Sequence, residues 1–208
     1  MPSIYNLKTS FQHLLRPIVN WLAAHRITAN QITIMALLLS SSMGTAIVYY
    51  GNQLWIFWLL PLVLFVRMAL NAIDGMLARE HHMISSLGVV LNEIGDVVSD
   101  TALYLPLALL PQFSAHLIVT VVVLALLTEM MGIVAVQIGA SRRYDGPMGK
   151  SDRAFVFGAI SLSFALDIRI ASWINPILWV MVLLLVITLV NRATRALLEV
   201  KDVKRDSR

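Results

Sequence analysis

The sequence predicts an all-α, polytopic membrane protein: six transmembrane helices preceded by an N-terminal amphipathic helix lying in the interface. Three observations carry that prediction. Of 208 residues, 58% are hydrophobic and only 13% are charged, whereas a soluble domain carries about a quarter charged residues. The apolar residues gather into runs near the ~20 residues that a spanning helix needs. The basic residues, which raise the pI to about 9.7, sit in short clusters between those runs.

Because the clusters form no continuous polar face, nucleic acid is not an expected partner. There is no cysteine, which excludes disulfides and thiolate metal sites. Lys8, His13, Arg16 and His25 interrupt the N-terminal stretch, and no small-residue cleavage site follows an early apolar core. A removed signal peptide is therefore not expected.

The first element covers 4–22. Ile4, Leu7, Phe11, Leu14, Leu15 and Ile18 recur at spacings near three and four, with Lys8, Gln12, His13 and Arg16 between them. That pattern predicts an interfacial amphipathic helix, ended or bent at Pro17. The first span is predicted over 30–50, with Thr28 or Asn30 placed to cap it. The second covers 53–79 and the third 86–110, stopping at Pro111. The fourth runs over 114–140, the fifth over 151–166 and the sixth over 172–194. The fourth and sixth hold few polar residues and suit a scaffold or an interface.

Orientation follows from Lys and Arg in the loops. Fourteen of them, from Lys8 and Arg16 through Arg142, Arg143, Lys150 and Arg153 to Arg208, fall on one side, and only Arg169 on the other. Both termini are expected in the cytoplasm, in agreement with an even number of spans. Membrane lipid is the surrounding solvent, and a bacterial inner (cell) membrane is the expected location.

The second and third spans break the apolar pattern. The second holds Arg67, Asn71 and Asp74, and the third holds Asn92, Glu93, Asp96 and Asp100. An Asp at a span centre costs about 2.5–3.5 kcal/mol on insertion scales, so such residues are normally turned inward and functional. Arg67, Asn71, Asp74 and Ala78 share one helical face, as do Gly88, Asn92, Asp96 and Asp100. Glu93 is turned about 100° away. Two adjacent antiparallel helices joined by the turn at His81–Ser85 bring these faces together into a cup of oxygen ligands near the cytoplasmic surface. Hard oxygen donors suit Mg²⁺, Mn²⁺ or Ca²⁺. The adjacent His81 and His82 read as solvated turn residues, and the bland account of the cup is a polar network that locks helix packing.

The frame Asn71, Asp74-Gly75, Ala78-Arg79, Gly88, Asn92, Asp96 resembles the signature of the CDP-alcohol phosphotransferases (class-I CDP-alcohol phosphatidyltransferases). Every spacing fits, although two of the four acidic positions are Asn. Thr28-Ala29-Asn30-Gln31-Ile32-Thr33 is similar to the family's segment before its first span, with Ala29 in place of the usual Pro. Gly149-Lys150 is similar to its basic entry to the fifth span.

The resemblance implies transfer of a phosphatidyl or substituted phosphate group from a CDP-linked donor, usually CDP-diacylglycerol, to an alcohol acceptor, with release of CMP. It implies that Asn71, Asp74, Asn92 and Asp96 hold Mg²⁺ or Mn²⁺, with Asp96 also the base for the acceptor hydroxyl. It places Gly75, Ala78, Arg79 and Gly88 at the CDP. Arg79 offers a phosphate a fork that Lys lacks. Arg142, Arg143, Lys150 and Arg153 surround the same opening and are candidates for binding acceptor or phosphate; the positive-inside bias alone also accounts for them. The family also implies a homodimer.

Asn71 and Asn92 contribute no charge, which favours one tightly held ion over two unless Glu93 or Asp100 compensates. A shifted register makes Asp96 and Asp100 the last acidic pair. Two further readings stay open: a non-catalytic relative that binds CDP-lipid or a partner, and a small ion or solute transporter. The acidic residues cluster at one membrane end, which disfavours transport. Selectivity resides in the acceptor pocket, so the motif does not name the alcohol.

Overall fold

The computed structural model describes residues 4–206, and the side chains of residues 11–202. The side chains of Ile4, Leu7 and Lys8, counted toward the amphipathic face, lie outside those residues, as do Lys204, Arg205 and Arg208. The described residues form helices joined by short turns and one longer loop over 138–149, and no strand occurs among them.

Helix α1 spans Ile4–Ala24 and runs through Pro17 without ending there. Its Leu15 and Val19 are buried in one apolar cluster with Ile32, Ile73 and Met76. Leu14, Ile18 and Trp21 point outward. Arg16 donates to Glu80 at 3.0 Å. The helix thus docks on the bundle with one apolar face and leaves a second apolar face outside.

Helix α2 spans Ala29–Tyr50. Thr28, not Asn30, caps it through a reciprocal pair: Gln31 N donates to Thr28 Oγ1 at 3.3 Å, and Thr28 N donates to Gln31 Oε1 at 2.8 Å. That pair satisfies two backbone donors the helix end leaves open. Helix α3 spans Leu54–Glu80.

Helix α4 spans Ser86–Tyr104 and gives way to a 3₁₀ turn over Leu105–Leu109, short of the predicted end at 110. Pro106 is the cause, since it lacks the N–H that the Ala102 carbonyl needs and its ring crowds that oxygen. The Ala102 carbonyl faces Gly44 of α2 so closely that a Cβ there would sit 2.0 Å from it. Where lipid removes the hydrophobic drive between helices, such small-residue contacts set the packing.

Helix α5 spans Ala115–Gln137. It stops before the predicted 140 because Gly139 turns left-handed at φ +91° and Ala140 N donates back to Ala135 O at 2.9 Å, a glycine cap. Helix α6 spans Lys150–Ala165. Helix α7 spans Ala171–Asp206, well past the predicted 194, because Ala, Leu, Glu, Lys and Arg sustain a helix after the apolar run ends.

Four of these helices, α2, α3, α5 and α7, are long and apolar enough to cross a membrane on their own. Helices α3 and α4 face each other across a cavity and meet through Arg67 and Asp100 at 2.6 Å, but they do not pack closely along their length. Helix α2 packs against both of them, α6 packs on α3, and α5 packs on α7. The gap between α3 and α4 becomes a cavity, with α2 as its third wall. Tyr104 stacks on Phe157 at 4.4 Å, and Phe57 meets Phe164 at 5.0 Å, which ties α6 to α4 and α3.

Candidate active site

The end of α3, the start of α2 and the start of α4 enclose a cavity of about 280 Å³ lined by Thr33, Asp74, Gly75, Ala78, Arg79, Gly88, Asn92 and Glu93, among others. Asp74 is buried, and its Oδ2 accepts from Thr33 Oγ1 at 2.9 Å. The Thr33 methyl faces α4, 3.6 Å from where a Cβ on Gly95 would stand. Thr33 thereby bridges the Asp74 side of the cavity to the Asp96 side.

The two motif glycines make room at the walls. A Cβ on Gly75 would lie 3.2 Å from both terminal guanidinium nitrogens of Arg79, so that side chain folds back along its own helix. A Cβ on Gly88 would lie 2.7 Å from Asn30 Oδ1. Ser85 caps α4, accepting from Gly88 N at 3.0 Å. The open N–H groups of that helix start border the cavity, an arrangement that favours anions.

A second cavity, of about 250 Å³, shares Asn92 with the first and is lined by Asp96, Glu129, Arg142, Tyr144, Lys150 and Arg192, among others. Lys150, the first residue of α6, is ion-paired with Asp96. Arg142 donates to Glu93 at 2.6 Å and lies flat across Gly132, where a Cβ would stand 1.7 Å from its Nη1. The Glu93–Arg142 pair is the partition between the two cavities.

The chain matches the CDP-alcohol phosphatidyltransferase family over residues 26–191. The chain belongs to that family. It is 46% identical over 197 residues to the inner membrane protein YnbA of Escherichia coli (strain K12), covering 94% of this chain and 97% of that protein. Its fold is similar to two crystal structures of the phosphatidylinositol phosphate synthase PgsA1 of Mycobacterium tuberculosis. With the complex containing manganese and citrate the TM-score is 0.70 at 19% identity, over 86% of this chain and 87% of that one. With the CDP-DAG-bound structure it is 0.66 at 21% identity, over 88% and 92%.

In this family member, the two carboxylates weighed as substitutes for the motif acids are engaged elsewhere. Glu93 pairs with Arg142. Asp100, 5% exposed, accepts from Arg153 Nη2 at 2.6 Å and pairs with Arg67 Nη2 at 2.6 Å. Arg67 and Arg153 are 1% and 0% exposed. Arg153 also reaches Glu129 at 3.3 Å. A charged network inside the bundle thus joins α3, α4, α5 and α6, and Arg192 extends it to α7, 3.6 Å from Glu129. Glu129 and Arg192 were not singled out from the sequence. A lone Glu in the apolar run of the fourth span was the available signal.

Of the four cations grouped as acceptor ligands, Arg142 and Lys150 line the second cavity, while Arg143 and Arg153 do not. Arg143 donates to Asp145 Oδ2 at 2.7 Å and to Glu199 Oε2 at 2.7 Å. Partial burial pushes the Asp145 carboxyl up, but the hydrogen bond and charge of Arg143 outweigh it and hold Asp145 below its ordinary range. Glu199 also accepts from Ser141 N and Ser141 Oγ, each at 2.9 Å.

Asn71 is half-buried one turn before Asp74. Among the described residues no three His, Cys, Asp or Glu side chains gather as a metal site. Of the four motif positions, Asp74 and Asn92 line the first cavity, Asn92 and Asp96 line the second, and Asn71 lines neither; all four are hard oxygen donors of the kind that Mg²⁺ or Mn²⁺ takes.

Proposed function

We propose that this protein transfers a phosphatidyl group from CDP-diacylglycerol to an alcohol and releases CMP, with Asp74 and Asp96 as its essential carboxylates. The observation that carries this is the cavity at the α3 and α4 ends, where the family motif lines a space bounded by Asp74, Arg79 and the α4 N-terminus. An apolar groove of about 530 Å³ between α3 and α6, lined by Leu64, Phe65, Met68 and Phe155, suits acyl chains. Ser151 lines both that groove and the second cavity, so a lipid donor there has its headgroup beside the polar residues.

The chain's residues divide the work. The Arg79 guanidinium pairs with the donor diphosphate, and Gly75, Ala78 and Gly88 let the nucleotide approach the backbone. Asn71, Asp74, Asn92 and Asp96 hold one Mg²⁺ or Mn²⁺, which when bound neutralises diphosphate charge. Asp96 accepts the proton of the acceptor hydroxyl. That oxygen forms a bond to the phosphorus bearing diacylglycerol, the phosphorus–oxygen bond to CMP breaks, and CMP leaves with the electron pair. The second cavity, next to Asp96, takes the acceptor.

The reading includes six crossings, with the short α4 and α6 leaning on the spanning α2 and α3, both termini in the cytoplasm, an inner-membrane location and a homodimer. Purified protein with CDP-diacylglycerol, Mn²⁺ or Mg²⁺ and a panel of alcohols is expected to release CMP, and Asp74→Asn and Asp96→Asn to abolish release. Tight CDP-lipid binding without CMP identifies a non-catalytic relative. Ion flux in liposomes with neither identifies a transporter.

A further inference from the structure

The charge balance of the second cavity narrows what the acceptor is. Three cations line it, Arg142, Lys150 and Arg192, beside three carboxylates, Asp96, Glu129 and Asp152. Each cation is already engaged. Lys150 holds Asp96. Arg142 holds Glu93 at 2.6 Å and lies 3.5 Å from Glu129, seated against Gly132 by the close approach described above. Arg192 lies 3.6 Å from Glu129 and donates to the carbonyls of Thr128 and Asp145. The two nearby arginines outside the lining are paired as well, Arg153 with Asp100 and Arg143 with Asp145 and Glu199.

A phosphorylated alcohol brings close to two negative charges at neutral pH. Accepting it requires a guanidinium to leave Glu93 or Glu129, which strands a carboxylate in a partly desolvated site, and such exchanges give little or no net gain. Donor and one divalent ion leave this balance unchanged: the ion, Lys150 and Arg79 bring four positive charges against four on Asp74, Asp96 and the donor's diphosphate. Hydroxyl groups on Ser151 and Tyr144 remain available to a neutral ligand.

We propose that the acceptor is an alcohol without net negative charge, a polyol or a zwitterion, and that Glu93 and Glu129 set this preference by neutralising Arg142 and Arg192. This deepens the transferase reading and rests on it for the role of the cavity, so the deciding measurement is binding rather than turnover.

Isothermal titration of the purified full chain in detergent, with Mg²⁺ present, with inorganic phosphate and with glycerol 3-phosphate tests the proposal. Wild type is expected to show no saturable binding up to millimolar anion. Glu93→Gln and Glu129→Gln are each expected to bind phosphate at least about tenfold more tightly, the order expected for one freed cation in a partly screened site. Glu93, half-buried at the first cavity and paired with Arg142 of the second, is the safer variant should Glu129→Gln fail to fold. Saturable sub-millimolar phosphate binding by wild type overturns the proposal, as does a folded Glu93→Gln protein that gains none. CMP released preferentially with phosphorylated alcohols overturns it too. Absence of CMP with every alcohol counts against the transferase reading alone and leaves the binding comparison decisive.

Discussion

Asp100 holds two guanidiniums inside the bundle, and replacing it with Asn tests whether that pairing is structural. The substitution preserves shape and removes one charge. Arg153 keeps Glu129 at 3.3 Å, whereas Arg67 keeps only the Asp96 carbonyl at 3.4 Å. Arg67 Nε and Nη1 are buried and have no other partner. Breaking a buried pair from one side costs about 3–5 kcal/mol, and Arg67 left without a counter-charge puts Asp100→Asn toward the upper part of that range. For a chain of this size that is a fall in Tm on the order of 10 °C, measurable by near-UV circular dichroism in detergent. Arg67→Met combined with Asp100→Asn removes the stranded charge and is expected to recover part of the loss, a coupling a double-mutant cycle reads directly. A Tm for Asp100→Asn equal to wild type refutes the reasoning. So does a stable Asp100→Asn protein that has lost Mn²⁺ binding, since that result places Asp100 in the ion site and restores the shifted register.

Gly44→Ala puts a methyl against the Ala102 carbonyl, a rigid backbone atom, and is expected to destabilise by about 1–3 kcal/mol or more as α2 and α4 are pushed apart; thermal unfolding measures it, and an unchanged Tm contradicts the close approach. Asn92→Asp adds a carboxylate to the cup and is expected to tighten Mn²⁺ binding by about tenfold, or 1.4 kcal/mol, followed by paramagnetic resonance of free Mn²⁺. Unchanged affinity removes Asn92 from the ligand set. Asp145 is held below its ordinary value, so the Arg143–Asp145 contact stabilises the fold above the usual aspartate range near pH 4 and is lost as pH falls through the lower folded-state value. Asp145→Asn is expected to lower the neutral plateau of a Tm-versus-pH profile and to flatten its acid limb, and a plateau equal to wild type refutes the contact's contribution.

The bundle was largely legible because apolar runs of spanning length are a strong signal, and the α2 to α6 boundaries at Tyr50, Glu80, Ser86 and Lys150 fell within a residue or so of the pattern. The misses have local causes. Pro106 ends α4 where the pattern ran on to Pro111, since hydropathy does not register a lost N–H. The α7 extension was hidden because the reading followed apolarity, whereas Arg192–Asp206 is helical through propensity. The site was legible as a motif, but its neighbours were not. Helical wheels placed Asn71, Asp74, Asn92 and Asp96 on one face of each helix, yet no spacing rule reveals that α2 packs on both α3 and α4 and closes the cavity between them. Nor does one reveal that Arg153 turns into the interior toward Asp100, or that Glu129 draws three arginines together. Those are tertiary facts, set by which helices touch.

The far end of α7 has a consequence for the second cavity. Glu199 grips the 138–149 loop at three points, through both polar groups of Ser141 and through Arg143, and that loop delivers Arg142 and Tyr144 to the cavity rim. The C-terminal helix is therefore a lever whose handle projects away from the reaction and whose short arm sets the rim. A protease cut before Glu199, or a protein that grasps the tail, slackens the rim while every lining side chain stays intact. With the acceptor in the second cavity, as proposed, acceptor affinity is expected to respond to what happens at the C-terminus, and donor affinity, built on α2, α3 and α4, is not.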